Sequence, residues 1–116
     1  MGKVILVIDD DEEVLRVYKT VLSDFAQVKV AQDMSQARRQ LDGVDLILLD
    51  YYLRKGEISF QDIVPELKRV APILVCSGTP DPAVRTLGLS LGAAGYWHKS
   101  TGFVALREKV QAVLAE

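Results

Sequence analysis

Lys3-Val-Ile-Leu-Val-Ile-Asp-Asp-Asp11 is the stretch that decides the fold. Val4–Ile8 runs without a polar interruption, and three acids follow at once. A strand with one wet face alternates apolar and polar residues, whereas a continuous apolar run suits a strand covered on both faces, as in a parallel sheet. The pattern returns three times. Asp45-Leu-Ile-Leu-Leu49 ends in Asp50, Pro72-Ile-Leu-Val-Cys76 ends in Ser77, and Gly95-Tyr-Trp-His98 ends in Lys99. If these runs are parallel strands, their C-terminal ends share one edge of one sheet, and ligands of open α/β sheets bind just outside that edge. The sequence thus predicts one cluster of several acids, a hydroxyl and a lysine, a set that can hold a hard metal ion and handle a phosphoryl group.

Helical patterns fill the gaps between the runs. Val14, Tyr18, Val21, Leu22 and Phe25 recur at helical spacing. Asp10 or Asp11 can cap that helix, and acids in its first turn suit the helix dipole. Val28–Ala31 reads as a short strand. Ser35–Leu41 reads as a short helix with Ala37 and Leu41 inward, ended near Gly43. Leu46–Leu49 is the third strand, and residues 50–57 form a polar loop. A helix over about Phe60–Val70 contains Pro65, so it starts there or is kinked there. Ile73–Cys76 is the fourth strand. Ser77-Gly-Thr-Pro80 leads into a helix that begins near Asp81-Pro82, where proline suits the first turn, and ends at Gly92. Gly95–His98 is the fifth strand, and Phe103, Leu106, Val110 and Val113 mark one face of a last helix. The order is (βα)5, and right-handed crossovers place helices on both faces of the sheet.

Composition narrows the function classes. A chain of 116 residues predicts a single domain, 1–116. Hydrophobic residues make up 49% and charged residues 26%, an ordinary globular balance. The formal net charge is −2 with scattered basic residues, which argues against a nucleic-acid partner. No apolar stretch approaches the roughly 20 residues of a membrane span, and Val4–Ile8 is too short for a signal-peptide core. The single cysteine, Cys76, cannot form an internal disulfide and fits a reducing compartment. The expected location is the cytoplasm, with no membrane partner.

Taken in order, Ile5-Leu-Val-Ile-Asp-Asp-Asp11, Asp45-Leu-Ile-Leu-Leu-Asp50, Ser77-Gly78 after an apolar strand, and Gly92-Ala-Ala-Gly-Tyr-Trp-His-Lys99 resemble the receiver domain of a two-component response regulator. The resemblance runs from about Lys3 to Leu114. It implies a doubly wound flavodoxin-like fold with a parallel five-stranded sheet in the order 2-1-3-4-5. It implies a signalling switch rather than an enzyme, whose only chemistry is autocatalytic phosphorylation and dephosphorylation. Asp50 is then the phosphoacceptor, receiving its phosphoryl group from a histidine kinase or phosphotransfer protein. Asp9 and Asp10 match the acidic pair, which with Asp50 and the backbone carbonyl of Tyr52 would hold Mg²⁺. Lys99 and Ser77 would contact phosphate oxygens, and Tyr96 matches the aromatic switch residue. Tyr52 and Thr79, two residues beyond Asp50 and Ser77, would flank the path of attacking water. The implied output surface, for a partner or a second copy, is the face of the fourth helix, fifth strand and last helix. There Val84, Leu87 and Leu91 are expected inward, with Arg85 and Leu89 outward.

The chain departs from that family at three places. Arg54 stands where a proline usually follows the phosphoacceptor, Gly56 comes early in its loop, and Ser100 replaces the proline after the site lysine. A pseudo-receiver, a protein-binding module of the same fold that takes no phosphate, is therefore an alternative. An aspartate-nucleophile phosphatase of the haloacid-dehalogenase kind is another, with Asp9 of Asp9-x-Asp11 as its nucleophile, but it leaves Asp50 without a role. Several residues carry plain readings. Asp11 is a cap or solvated acid, Cys76 a small buried hydrophobe, Trp97 a packing residue and His98 a solvated side chain. Arg38-Arg39 reads as a solvated helix face.

Overall fold

Parallel pairing turns the apolar runs into one sheet. The computed structural model describes residues 2–51, 60–78 and 82–115. The strands are β1 (Lys3–Ile8), β2 (Ala26–Ala31), β3 (Leu46–Asp50), β4 (Ile73–Ser77) and β5 (Gly95–His98). They form a single sheet in the order β2-β1-β3-β4-β5, and every pair is parallel. Alternating with them are α1 (Glu12–Leu22), α2 (Met34–Arg38), α3 (Phe60–Leu67), α4 (Pro82–Ser90) and α5 (Phe103–Leu114), with a 3-10 turn at Lys99–Thr101 before α5. This is the doubly wound flavodoxin-like fold and strand order expected above.

The two-residue side-chain period of a strand divides the core. Leu6, Ile8, Ile47, Leu49, Ile73 and Val75 face one layer, where they meet residues of α2, α3 and α4. Ile5, Val7, Leu46, Leu48, Leu74, Cys76 and Trp97 face the other, against α1 and α5. Both sides of β1, β3 and β4 are thus covered, which is why their sequences show no alternation. Cys76 and Trp97 are buried as expected. In α1 the buried stripe is Leu15, Tyr18 and Leu22, with Val14, Val21 and Phe25 only half-buried. All five expected residues thus lie in or against the α1 side of the core, Leu15 adds to them, and Phe25 lies beyond the helix end. On α4, Val84 is buried, Leu87 is half-buried, and Arg85 and Leu89 point outward, while Leu91, just past the helix end, is half-buried. Gly88 also faces inward, because a Cβ there would lie 3.1 Å from Val75 Cγ2.

Two helices are shorter than their patterns. The second stops at Arg38, and Leu41 packs on the core from outside it. The third runs Phe60–Leu67 with Pro65 inside, where proline removes one intrahelical donor. Arg38 and Arg39 are both exposed, as expected, but Arg38 also has a partner. The Arg38 guanidinium donates to both carboxylate oxygens of Glu66, at 2.7 and 2.9 Å, and ties α2 to α3. On the opposite face Arg107 of α5 grips Asp24 at 2.7 and 2.9 Å, donates to Val21 O, and lies over the Phe25 ring. Among the described residues, no helix is long and apolar enough to cross a membrane.

Candidate functional site

Register carries the acids to one place. Ile8 pairs with Leu49, so Asp9 and Asp50 follow at the same level on adjacent strands. Asp9 extends the ladder by donating its N–H to Ala31 O at 3.0 Å, and Tyr51 N does the same to Cys76 O at 2.9 Å. Asp9 is 2% exposed and Asp50 is 7% exposed, unusual burial for carboxylates. Oxygen atoms of Asp9, Asp10 and Asp50 all lie within 4.8 Å of one another.

Asp9 and Asp11 divide their work. Asp9 Oδ1 accepts from Asp11 N at 2.9 Å, which folds the chain back over the strand end. Asp11 is the cap of α1, its Oδ1 accepting from Glu13 N at 3.0 Å and Val14 N at 3.4 Å. Its side chain is exposed and spent on the helix. Asp10, half-buried, remains with the cluster.

Lys99 closes the cluster from the far side of the sheet. Its Nζ lies 3.2 Å from Asp9 Oδ2 and 3.4 Å from Asp50 Oδ1, across 90 and 49 residues of chain. One ammonium does not balance three carboxylates at this range. Burial, then the neighbouring Asp9, push the Asp50 carboxyl up to about 6, and Lys99 only partly counters them. Burial works against the Lys99 ammonium, but Asp50 and Asp9 outweigh it and raise its pKa overall. Beneath the site the Tyr18 hydroxyl is held far above its ordinary value, first by burial and then by Cys76, its hydrogen-bond partner, with Asp9 and Asp50 adding to the effect. Burial pushes the Cys76 thiol up to about 12. Both groups stay neutral and keep further charge away from the carboxylates.

Ser77 ends β4, fully buried, in register with His98. Tyr96 is half-buried against the α2–α3–α4 layer. By strand parity both face that layer, opposite Asp50. The structure thus gathers Asp9, Asp10, Asp50 and Lys99 into direct proximity and sets Ser77 at the same sheet edge. Tyr52 and Thr79 lie outside the described residues.

The sequence reading missed what holds Lys99. His98, expected to be solvated, is half-buried, and its Nδ1 accepts from Ser100 N at 3.3 Å. Ser100 Oγ lies against the same nitrogen. Thr101 Oγ1 donates to His98 O at 2.7 Å, and Trp97 Nε1 donates to Gly102 O at 3.2 Å. The Ser-Thr-Gly run after Lys99 is a turn signal that could have pointed here.

The donor set suits a hard divalent cation: oxygen ligands only, three carboxylates close together, and an Asp50 carboxyl raised first by burial and then by the charge of Asp9.

Solved structures share this architecture. A response regulator receiver domain protein from Clostridium thermocellum superposes with a TM-score of 0.84 at 24% identity, over 97% of this chain and 94% of that one. A two-component response regulator from Clostridium difficile gives 0.88 at 22% identity, over 99% and 98%. The BeF3-activated DrrB receiver domain gives 0.89 at 21% identity, over the full length of both chains. No curated protein matches the chain by sequence. The family model of the response regulator receiver domain matches residues 5–111. With nearly its whole length covered by that match, the chain belongs to the response regulator receiver family.

Proposed function

We propose that this receiver domain is a phosphorylated switch, with Asp50 taking a phosphoryl group from a histidine kinase or phosphotransfer protein. The observation that supports it most is the position of Asp50: nearly buried at the end of the central strand, flanked by two acids and reached by Lys99 at 3.4 Å. A bond forms between an Asp50 carboxylate oxygen and phosphorus. The bond from phosphorus to the donor's imidazole nitrogen breaks, and the imidazole keeps the electron pair. Attack needs an ionised Asp50, and anion–anion repulsion opposes it. Lys99 lowers that repulsion by placing an ammonium beside the nucleophile. Asp9, Asp10, Asp50 and the Tyr52 carbonyl would hold Mg²⁺. Bound there, the cation would neutralise carboxylate charge and offset the charge of the transferring group. Ser77 would donate a hydrogen bond to a phosphate oxygen, and Tyr96 would follow its movement.

The rest of the reading follows from this role. Residues 1–116 act as one receiver domain in the cytoplasm, with no catalysis beyond gain and loss of Asp50's own phosphoryl group. The output surface is the α4–β5–α5 face, where Leu89 is 40% exposed and Val104 is 74% exposed. Leu89→Asp should weaken phosphorylation-dependent association in sedimentation while leaving labelling intact.

The deciding experiment is labelling with acetyl phosphate and Mg²⁺, read by intact mass. Native protein should gain one acid-labile phosphoryl group, and Asp50→Asn should gain none. Labelling that persists in Asp50→Asn sinks the assignment. No labelling of native protein favours the pseudo-receiver, and loss only in Asp9→Asn favours the phosphatase reading.

A further inference from the structure

The acids sit on central strands, but Lys99 follows β5, a four-residue strand hydrogen-bonded on one side only. Nothing in the sheet ladder fixes where its ammonium points. What fixes it is the 3-10 turn Lys99–Thr101, whose cap is His98. In that turn the Ser100 N–H lacks an intrahelical partner, as the first donors of any helix do. The His98 imidazole supplies one, its Nδ1 accepting from Ser100 N at 3.3 Å. A proline at position 100 would lack that N–H, so this cap depends on a residue other than proline being there. Two further bonds hold the same turn: Thr101 Oγ1 to His98 O at 2.7 Å, and Trp97 Nε1 to Gly102 O at 3.2 Å. Gly102 has φ +89, which turns the chain into α5 at a conformation side chains disfavour. Accepting at Nδ1 assigns the ring proton to Nε2, which is buried without a partner among the described residues. The ring is therefore spent on the turn rather than on the site chemistry.

We infer that His98 is a positioning residue for Lys99: its Nδ1 caps the Lys99–Thr101 turn and so aims the ammonium at Asp9 and Asp50. The inference rests on the phosphoacceptor reading above, and its test separates the two. His98→Leu removes the acceptor while keeping an apolar body of similar size. His98→Asn keeps a short side-chain acceptor, the strongest type at a helix start.

Acetyl phosphate labelling rates are compared for these variants in native and Lys99→Ala backgrounds. Lys99→Ala should slow labelling by itself. His98→Leu should slow it roughly three- to tenfold in the native background, the scale of a lost cap. It should add little in the Lys99→Ala background, since residues that act through one another are non-additive. His98→Asn should recover most of the rate. Amide hydrogen exchange gives a reading apart from activity: Ser100 N–H should lose protection in His98→Leu and regain it in His98→Asn. Equal slowing in both backgrounds means that His98 acts on stability alone and overturns the inference. So does an unchanged rate in His98→Leu, or a Ser100 amide that exchanges alike in all three proteins. Lys99→Ala labelling at the native rate overturns the inference alone, whereas native protein that takes no label fails the phosphoacceptor reading itself, and this inference falls with it.

Discussion

The two halves of the site are placed by different physics. Asp9, Asp10 and Asp50 stand at the ends of β1 and β3, the central strands, whose residues are buried on both faces and locked by register to neighbours on either side. Lys99 hangs from the edge strand β5, in a turn held by hydrogen bonds that Trp97 Nε1, the Ser100 N–H and Thr101 Oγ1 donate. The acid half cannot slip by one residue without turning a whole strand inside out. The lysine half can shift through the loss of a single side-chain bond. The proposed switch would use this asymmetry, with a fixed Asp50 and a counter-charge on an element that can respond. The two halves should also oppose one another energetically. The acids are crowded at a cost, and the lysine offsets part of it.

The largest expected effect comes from removing that offset. Lys99→Ala leaves Asp9 and Asp50 buried side by side without their cation, and breaking such a pair from one side costs roughly 3 kcal/mol. Urea unfolding at pH 8 should show this loss, and it should shrink at pH 4, where Asp50 is protonated. An equal loss at both values would mean that Lys99 contributes packing rather than charge.

The converse substitution should stabilise. The folded Asp50 carboxyl is raised from 3.8 to about 6, with burial the main cause and Asp9 the next. A raised folded pKa means the native state binds the proton more tightly than the unfolded chain. The favourable contribution is therefore complete below about pH 4 and lost as pH rises through about 6. Above that window the ionised Asp50 costs roughly 2 to 3 kcal/mol. Asp50→Asn should be more stable than native protein by about that amount at pH 8 and nearly equal to it at pH 4. A native-like profile in Asp50→Asn would place the crowding elsewhere.

These particulars show what a sequence can reveal. Asp9, Asp50, Ser77 and Lys99 were legible because each ends an apolar run, and a run buried on both faces has one direction and one end. Four of the five strands followed from the same runs, and the strand order was what the family resemblance implied. Arg38 is exposed as read, but its pairing was not legible because the partner, Glu66, is 28 residues away on another helix, and no local period encodes that meeting. His98 was misread because its role depends on the conformation of the turn after it, not on the strand before it. Leu15 was left out of the α1 stripe because it and Val14 are both apolar, and only tertiary packing decides which is buried more deeply.

A divalent cation should act on the acid half alone. Three carboxylates that repel one another are stabilised by any ligand that neutralises them, and binding to the native state adds stability by mass action. About 10 mM Mg²⁺ should add about 1 kcal/mol for a site of millimolar affinity. Asp10→Ala should raise the metal-free melting temperature and flatten its response to Mg²⁺. The same response in both proteins would show that Asp10 is not a ligand.

The smallest effect tests the lysine half at its outermost bond. Thr101 Oγ1 donates to His98 O at 2.7 Å on an exposed turn, so water can replace the hydroxyl when it is lost. Thr101→Val keeps the shape and removes the donor. The expected cost is about 0.5 kcal/mol, at the low end for a hydrogen bond because the carbonyl stays hydrated. Its signature is location rather than size. Exchange protection should fall at Gly102, whose N–H donates to Lys99 O at 3.3 Å in the same turn, and stay unchanged at Ile8 and Leu49 in the central strands. Thr101→Ser should restore it. A loss that spreads to β1 and β3 would mean that the two halves of the site are one cooperative unit, and the asymmetry between them would be gone.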